Sequence, residues 1–208
     1  MADICGLYAI TDPTLIPAGR LLAACEAALR GGARLLQYRD KPASPSERRA
    51  RAASLRDLCR DHGAVLLIND DPQLAAEIGA GGVHIGQSDG GILRARQLLG
   101  PDAIIGVTCH SDPALARDAA EAGANYAAFG RFYPSHTKPG APQAALSILA
   151  TPLALPKVAI GGVTPDNAPA LIAAGADAVA VIHSLFSAAD IEAQARRFAN
   201  LFFPKESS

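Results

Sequence analysis

No CxxC pair and no cysteine–histidine cluster occurs in this chain, although it holds four cysteines, Cys5, Cys25, Cys59 and Cys109. Scattered thiols exclude the usual zinc spacings and fit a reducing compartment better than a disulfide framework. An excess of one charge is also missing. Nineteen Lys and Arg stand against 20 Asp and Glu, a net charge of -1, with no basic cluster. That argues against nucleic acid as the main partner, so local positive groups must be read as parts of a site. Met1-Ala2-Asp3 carries no cationic signal start, and no apolar run approaches membrane-spanning length. The expectation is a soluble, cytoplasmic protein without a membrane partner. Two further absences concern chemistry. No GxGxxG follows the first apolar run, and no Ser/His/Asp or Cys/His set is arranged for covalent catalysis.

What is present is a chain of 208 residues, half of them hydrophobic, with 19 glycines. That length suits one domain over residues 1–208, with the tail at 204–208 expected to be disordered. Short apolar runs alternate with alanine-rich amphipathic segments throughout. The runs predict strands over Gly6–Ile10, Arg34–Tyr38, Val65–Ile68, Gly82–Ile85, Ala103–Val107, Asn125–Phe129, Lys157–Ile160 and Ala178–Val181. Helices are expected over Ala18–Arg30, Ser46–Asp61, Pro72–Ile78, Ile92–Leu98, Pro113–Ala122, Gln143–Ala150, Pro165–Ala174 and Ile191–Leu201. Apolar strands without alternation, separated by helices, indicate a parallel sheet covered on its faces.

An internal echo supports this. Gly32-Ala33-Arg34, Gly81-Gly82-Val83, Gly123-Ala124-Asn125 and Gly175-Ala176-Asp177 each end a helix and open a strand. Eight βα units in this length predict an α/β fold, a single (β/α)8 TIM barrel; a doubly wound open sheet is the second choice.

In such a barrel the active site lies on the loops that follow the strands. The second strand ends in Gln37-Tyr38-Arg39-Asp40-Lys41, which puts Gln37, Arg39 and Lys41 on one side of an extended backbone. Two cations and an amide on one face suit a polyanion such as a diphosphate. Asn69-Asp70-Asp71 and Gln87-Ser88-Asp89 follow the third and fourth strands. Hard carboxylate oxygens at Asp70 and Asp89 are what Mg²⁺ takes, although an acid between strand and helix equally reads as an N-cap. Asp71, before Pro72, reads as the N-cap. Thr108-Cys109-His110 follows the fifth strand, and the long sixth loop carries Ser135, Thr137 and Lys138, hydroxyls and an ammonium fit for a phosphate. Gly161-Gly162 and Ile182-His183 end the last two strands, where TIM barrels often hold phosphate, though paired glycines also make a plain tight turn. His84, inside the fourth strand, reads as a barrel-core histidine. The rim thus offers two anion sites and suggests diphosphate displacement.

At this point the residues resemble the thiamine-phosphate synthase family over essentially the whole chain. The landmarks are Leu7-Tyr8-Ala9-Ile10-Thr11-Asp12, Gln37-x-Arg39-x-Lys41, Asn69-Asp70, Gly86-Gln87-x-Asp89, Gly106-Val-Thr-Cys-His-Ser111, Ser135-x-Thr137-Lys138 and Gly161-Gly162. That family joins a pyrimidine methyl diphosphate to a thiazole phosphate and releases diphosphate, through a pyrimidine methyl cation that the thiazole nitrogen captures. The resemblance implies that Gln37, Tyr38, Arg39, Asp40, Lys41, Asn69, Thr108 and Lys138 bind the pyrimidine diphosphate. Arg39, Lys41 and Lys138 would be catalytic, and Asp70 and Asp89 would bind Mg²⁺. Ser135, His136, Thr137, Gly162, Ile182 and His183 would hold the thiazole phosphate.

There are departures. Thr108 stands where serine is usual, Ser135 where threonine is common, and His183 in place of a typical serine. A related thiazole tautomerase uses a histidine in the fifth loop, which keeps His110 in play. A phosphate-ligand sensor without turnover is the non-enzymatic alternative.

Overall fold

Strand and helix formation follow the expected alternation, and the strands close on themselves. The structure, a computed structural model, describes residues 3–134, 140 and 142–203. The expectations for Ser135, His136, Thr137, Lys138 and the 204–208 tail lie outside the described residues. Strands β1 (Gly6–Ile10), β2 (Ala33–Tyr38), β3 (Val65–Asn69), β4 (Gly82–Ile85), β5 (Ile104–His110), β6 (Tyr126–Phe129), β7 (Lys157–Ile160) and β8 (Ala178–Val181) pair in parallel, each with the next. β1 also pairs with β8, so no edge is left open. The open sheet is thereby ruled out.

Around the barrel run α1 (Leu21–Arg30), α2 (Pro45–Asp61), α3 (Pro72–Ile78), α4 (Ile92–Leu99), α5 (Pro113–Glu121), α6 (Ala168–Ala173), α7 (His183–Phe186) and α8 (Ile191–Phe202). Several start on acids that accept a backbone N–H from the first turn. Asp71 takes that of Leu74, Asp112 that of Ala114 and Asp190 that of Ala193. Ser44 and Glu47 form a capping box on α2, with Pro45 at its first position.

β5 runs on through Thr108, Cys109 and His110, residues expected in the loop after it. Two helical expectations also change. Gln143–Ala150 is not an α-helix; only Leu146–Ala150 turns, as a 3₁₀ segment. Pro142 and Pro152 bracket too few residues for an α-helix, so the segment serves mainly to bury Ile148 and Leu149. The helix expected at Pro165 begins only at Ala168. Asn167 instead closes a turn, accepting the N–H of Thr164 while its own N–H donates to the Thr164 hydroxyl. α7 was not anticipated from sequence, since four residues leave no periodicity to read.

Two apolar clusters divide the core. The larger lies between strands and helices, and includes Leu36, Leu55, Ile68, Leu74, Phe129 and Phe198. The smaller fills the barrel, with Tyr8, Leu35, Leu67, Ile104, Tyr126 and Val158. Residues of one strand alternate between the two, Leu35 inward and Leu36 outward, as the pleat requires. This alternation decides which rim residues face the site.

Candidate active site

The strand ends open into a cavity of about 740 Å³, within the size range of small-molecule sites. Gln37, Arg39, Lys41, Asn69, Asp70, Asp89, Thr108, Gly162, Ile182 and His183 all line it. Residues from six strands or the loops after them therefore meet, as their common position at strand C-termini demands.

Tyr38 and Asp40 are the exceptions. They lie on the other side of β2 and its loop, away from the cavity, because only every second residue of an extended chain points inward. The Tyr38 hydroxyl donates to Asp40 at 3.2 Å, and Asp40 pairs with Arg51 of α2 at 2.7 Å. Both residues therefore anchor the loop to a helix. Their side chains support Arg39 and Lys41 and do not line the cavity.

Arg39 is held by its backbone. Its N–H donates to the Thr11 hydroxyl at 2.9 Å, and that hydroxyl donates back to the Arg39 carbonyl at 3.1 Å. This bracing leaves the guanidinium at the cavity wall, 3.9 Å from Asp12. Lys41 Nζ lies 3.2 Å from Asp70, whose carboxylate also accepts from the Asn69 side-chain amide at 2.7 Å. Asp70 occupies the left-handed backbone region at φ 61, which turns the chain out of β3. Asp89 accepts the Gly86 N–H at 2.7 Å and so closes the turn after β4. It is not the N-cap of α4; Gly91 is. Among the described residues no group of three or more His, Cys, Asp or Glu forms a ready-made metal cluster. The two carboxylates nevertheless border the same space, and Mg²⁺ bound through one or two carboxylates plus substrate phosphates needs no more.

The opposite wall is built from loops. Gly161 and Gly162 have φ 101 and 65. A β-carbon on Gly161 would meet Arg131, and one on Gly162 would meet Tyr133 and the Pro134 carbonyl. These glycines seat the start of the sixth loop as well as bordering the cavity, a packing reason that adjacency in sequence could not reveal. Arg131 also lines the cavity, and sequence reasoning gave it no role. His110 lines it too, at φ 51, where β5 leaves its register with β6.

Sequence reasoning also missed the floor. Tyr8 and His84 line the cavity from below, and Tyr126 lies beneath them. His84 is a core residue, as expected, but it also borders the cavity. Its ring bonds Tyr126 through Nδ1 at 2.8 Å and the Thr108 hydroxyl through Nε2 at 2.9 Å. Burial raises both phenols above their ordinary pKa, so both stay protonated through the neutral range. Cys109, the thiol nearest the rim, is pushed up to about 12, first by burial and then by Asp112. It is no nucleophile at neutral pH.

Fold and site together define a TIM-barrel enzyme whose cavity carries cations on one wall and carboxylates beside them. Residues 7–185 match the family described as thiamine monophosphate synthase, and the chain belongs to that family. It is thus a transferase. The thiamine-phosphate synthase of Alcanivorax borkumensis is 60% identical over 209 residues, covering 98% of this chain and 96% of that one. That of Marinobacter nauticus is 56% identical over 201 residues, covering 95% and 90%. Among solved structures, thiamine phosphate pyrophosphorylase from Pyrococcus furiosus superposes with a TM-score of 0.87 at 30% identity, covering 96% of each chain.

Proposed function

We propose that this chain condenses 4-amino-2-methyl-5-(diphosphooxymethyl)pyrimidine with 4-methyl-5-(2-phosphooxyethyl)thiazole, giving thiamine phosphate and diphosphate. The observation that carries the reading is one cavity with Arg39, Lys41, Asn69, Asp70 and Asp89 on one wall and Gly162, Ile182 and His183 on the other. A diphosphate at the first wall and a monophosphate at the second leave the two heterocycles facing each other between them. The pyrimidine CH₂–O bond breaks with its electron pair leaving on the diphosphate, and the thiazole nitrogen lone pair then forms the new C–N bond. Atoms and charge balance without an added oxidant or base.

Arg39 and Lys41 hold the diphosphate and stabilise the charge that grows on it, helped by Lys138 from the sixth loop. Asp70 and Asp89 would hold Mg²⁺, which supplies further charge neutralisation at the leaving diphosphate. Asn69, through Asp70, keeps that carboxylate aimed into the cavity. Gln37 and Thr108 orient the pyrimidine ring. Ser135, His136 and Thr137 complete the thiazole phosphate pocket with Gly162, Ile182 and His183. The partners are two phosphorylated small molecules, with no role for nucleic acid or membrane, and the setting is cytoplasmic. No helix among the described residues is long and apolar enough to cross a membrane.

His183 opens α7, and we place its phosphate contact at the backbone N–H. His183→Ser is therefore expected to leave the Michaelis constant for the thiazole phosphate nearly unchanged. A large gain in affinity would contradict the backbone assignment.

His110 on the same rim supports a second reading, a thiazole tautomerase, for which the acid pair has no use. The deciding experiment measures diphosphate release from the pyrimidine diphosphate, with and without thiazole phosphate and Mg²⁺. Mg²⁺-dependent release with formation of thiamine phosphate is expected. Binding of both ligands without release would overturn the synthase reading and turn attention to His110 or to a sensor.

A further inference from the structure

We infer that Tyr8, Tyr126 and His84 form a directional hydrogen-bond relay. It ties the side-chain amide of Gln37 to the hydroxyl of Thr108, so that one end of the site sets whether the other donates or accepts. This rests on the reading above only in taking Gln37 and Thr108 as ring contacts.

The links are short and continuous. Gln37 Nε2 donates to the Tyr8 hydroxyl at 2.6 Å, and the hydroxyls of Tyr8 and Tyr126 are 2.9 Å apart. Tyr126 reaches His84 Nδ1 at 2.8 Å, and His84 Nε2 reaches Thr108 Oγ1 at 2.9 Å. Both phenols are shielded from bulk water, at 1% and 0% exposure. The His84 ring stacks on Tyr126 with centroids 5.6 Å apart and planes at 20°, which fixes its orientation. The relay thus runs from β2 through β1, β6 and β4 to β5, beneath the cavity.

Its direction follows from counting protons. Each phenol has one to give. The Tyr8 oxygen accepts from Gln37, so its proton goes to Tyr126. The Tyr126 proton then goes to His84 Nδ1, which must be bare. A neutral imidazole with bare Nδ1 carries its proton on Nε2 and donates to Thr108 Oγ1. The Thr108 hydroxyl proton is then left to donate elsewhere, into the cavity it lines. An acceptor at position 37 reverses every link. Tyr8 would donate to residue 37 and Tyr126 to Tyr8, His84 would carry its proton on Nδ1, and Thr108 would spend its proton on Nε2. Any partial reversal leaves two buried donors or two acceptors face to face, which is costly, so the chain switches as a unit. Tyr8, Tyr126 and His84 are therefore positioning residues, and the ring the site selects is one that accepts from Thr108.

The test uses ¹⁵N-histidine-labelled full chain without ligands, with folding followed by thermal melting. In the unaltered protein His84 is expected to show a bare Nδ1 and a protonated Nε2. In Gln37→Glu, read at a pH high enough to ionise the buried acid so that its carboxylate can only accept, Nδ1 is expected to gain the proton. Tyr126→Phe cuts the relay, so adding Gln37→Glu to it should leave the His84 signals where Tyr126→Phe alone puts them. If Tyr126→Phe fails to fold, Tyr8→Phe cuts the preceding link. In kinetics, Tyr126→Phe is expected to raise the Michaelis constant for the pyrimidine diphosphate about tenfold, the worth of one misdirected hydrogen bond, without moving that for the thiazole phosphate. Nδ1 staying bare in Gln37→Glu, or a response that survives the cut, overturns the relay. A tautomer change in a protein that forms no thiamine phosphate would leave the relay standing and remove only the pyrimidine as its ligand.

Discussion

Asp70→Asn is expected to lower Mg²⁺-dependent formation of thiamine phosphate by about a hundredfold or more, the scale on which a lost transition-state charge contact acts. The substitution is nearly isosteric and suits the local backbone. Asp70 sits at φ 61, a region where asparagine is several-fold enriched, so no new strain arises. An amide oxygen at this position can still accept from Asn69 and Lys41, which now bond the carboxylate at 2.7 and 3.2 Å. What is lost is the negative charge, and with it one of the two carboxylates proposed to hold Mg²⁺ at the cavity. Turnover titrated against Mg²⁺, with the melting temperature recorded for both proteins, separates the two effects. The expected pattern is a rate that falls while the melting temperature holds. An unchanged rate at limiting Mg²⁺ would sink the metal role of Asp70, and strong inhibition of the unaltered enzyme by chelator must accompany the expected pattern.

The second large effect concerns stability. Gly106 lies in β5 directly against the ring of Tyr126, and a β-carbon there would overlap the ring tip and its hydroxyl. Tyr126 is fully buried, so the ring has no solvent into which to swing. Overpacking by one methyl group and the loss of the Tyr126 bonds to Tyr8 and His84 together are expected to cost about 4 kcal/mol. For a domain of this size that corresponds to a melting temperature lower by roughly 10 °C in Gly106→Ala. Thermal unfolding of the variant decides the matter, and an unchanged melting temperature would mean that Tyr126 has room the packing does not reveal. The same variant should disturb the His84 ring signals, because ring stacking and hydroxyl bond move together.

Much of this architecture was readable in advance. β1, β4, β7 and β8 fall where their apolar runs begin and end. α3, bounded by Asp71-Pro72 and Gly79, has the limits that cap chemistry dictates. Failures have local causes. Gln143–Ala150 carries a helical pattern over too short a stretch between prolines, and α7 is too short to carry any pattern. At the rim, the i, i+2, i+4 spacing of Gln37, Arg39 and Lys41 was the informative signal. The family pattern then drew in Tyr38 and Asp40, which the same alternation turns outward to Arg51.

By itself the sequence determined the eight strands and most of the helices between them, the strand ends at which polar residues gather, and the residue types suited to diphosphate and Mg²⁺. Such features are local, because apolar periodicity, caps and turn glycines act over a few neighbouring residues. Only the tertiary structure decided what lies under the site. Tyr8 and Tyr126 are 118 residues apart, yet they share a hydrogen bond, and His84 reaches Thr108 across 24 residues. Those pairings depend on the closure of the barrel and on the register of its strands, which set which inward side chains stand at one level. No local spacing encodes that level, since sliding one strand past its neighbour would leave every local pattern intact while parting the rings.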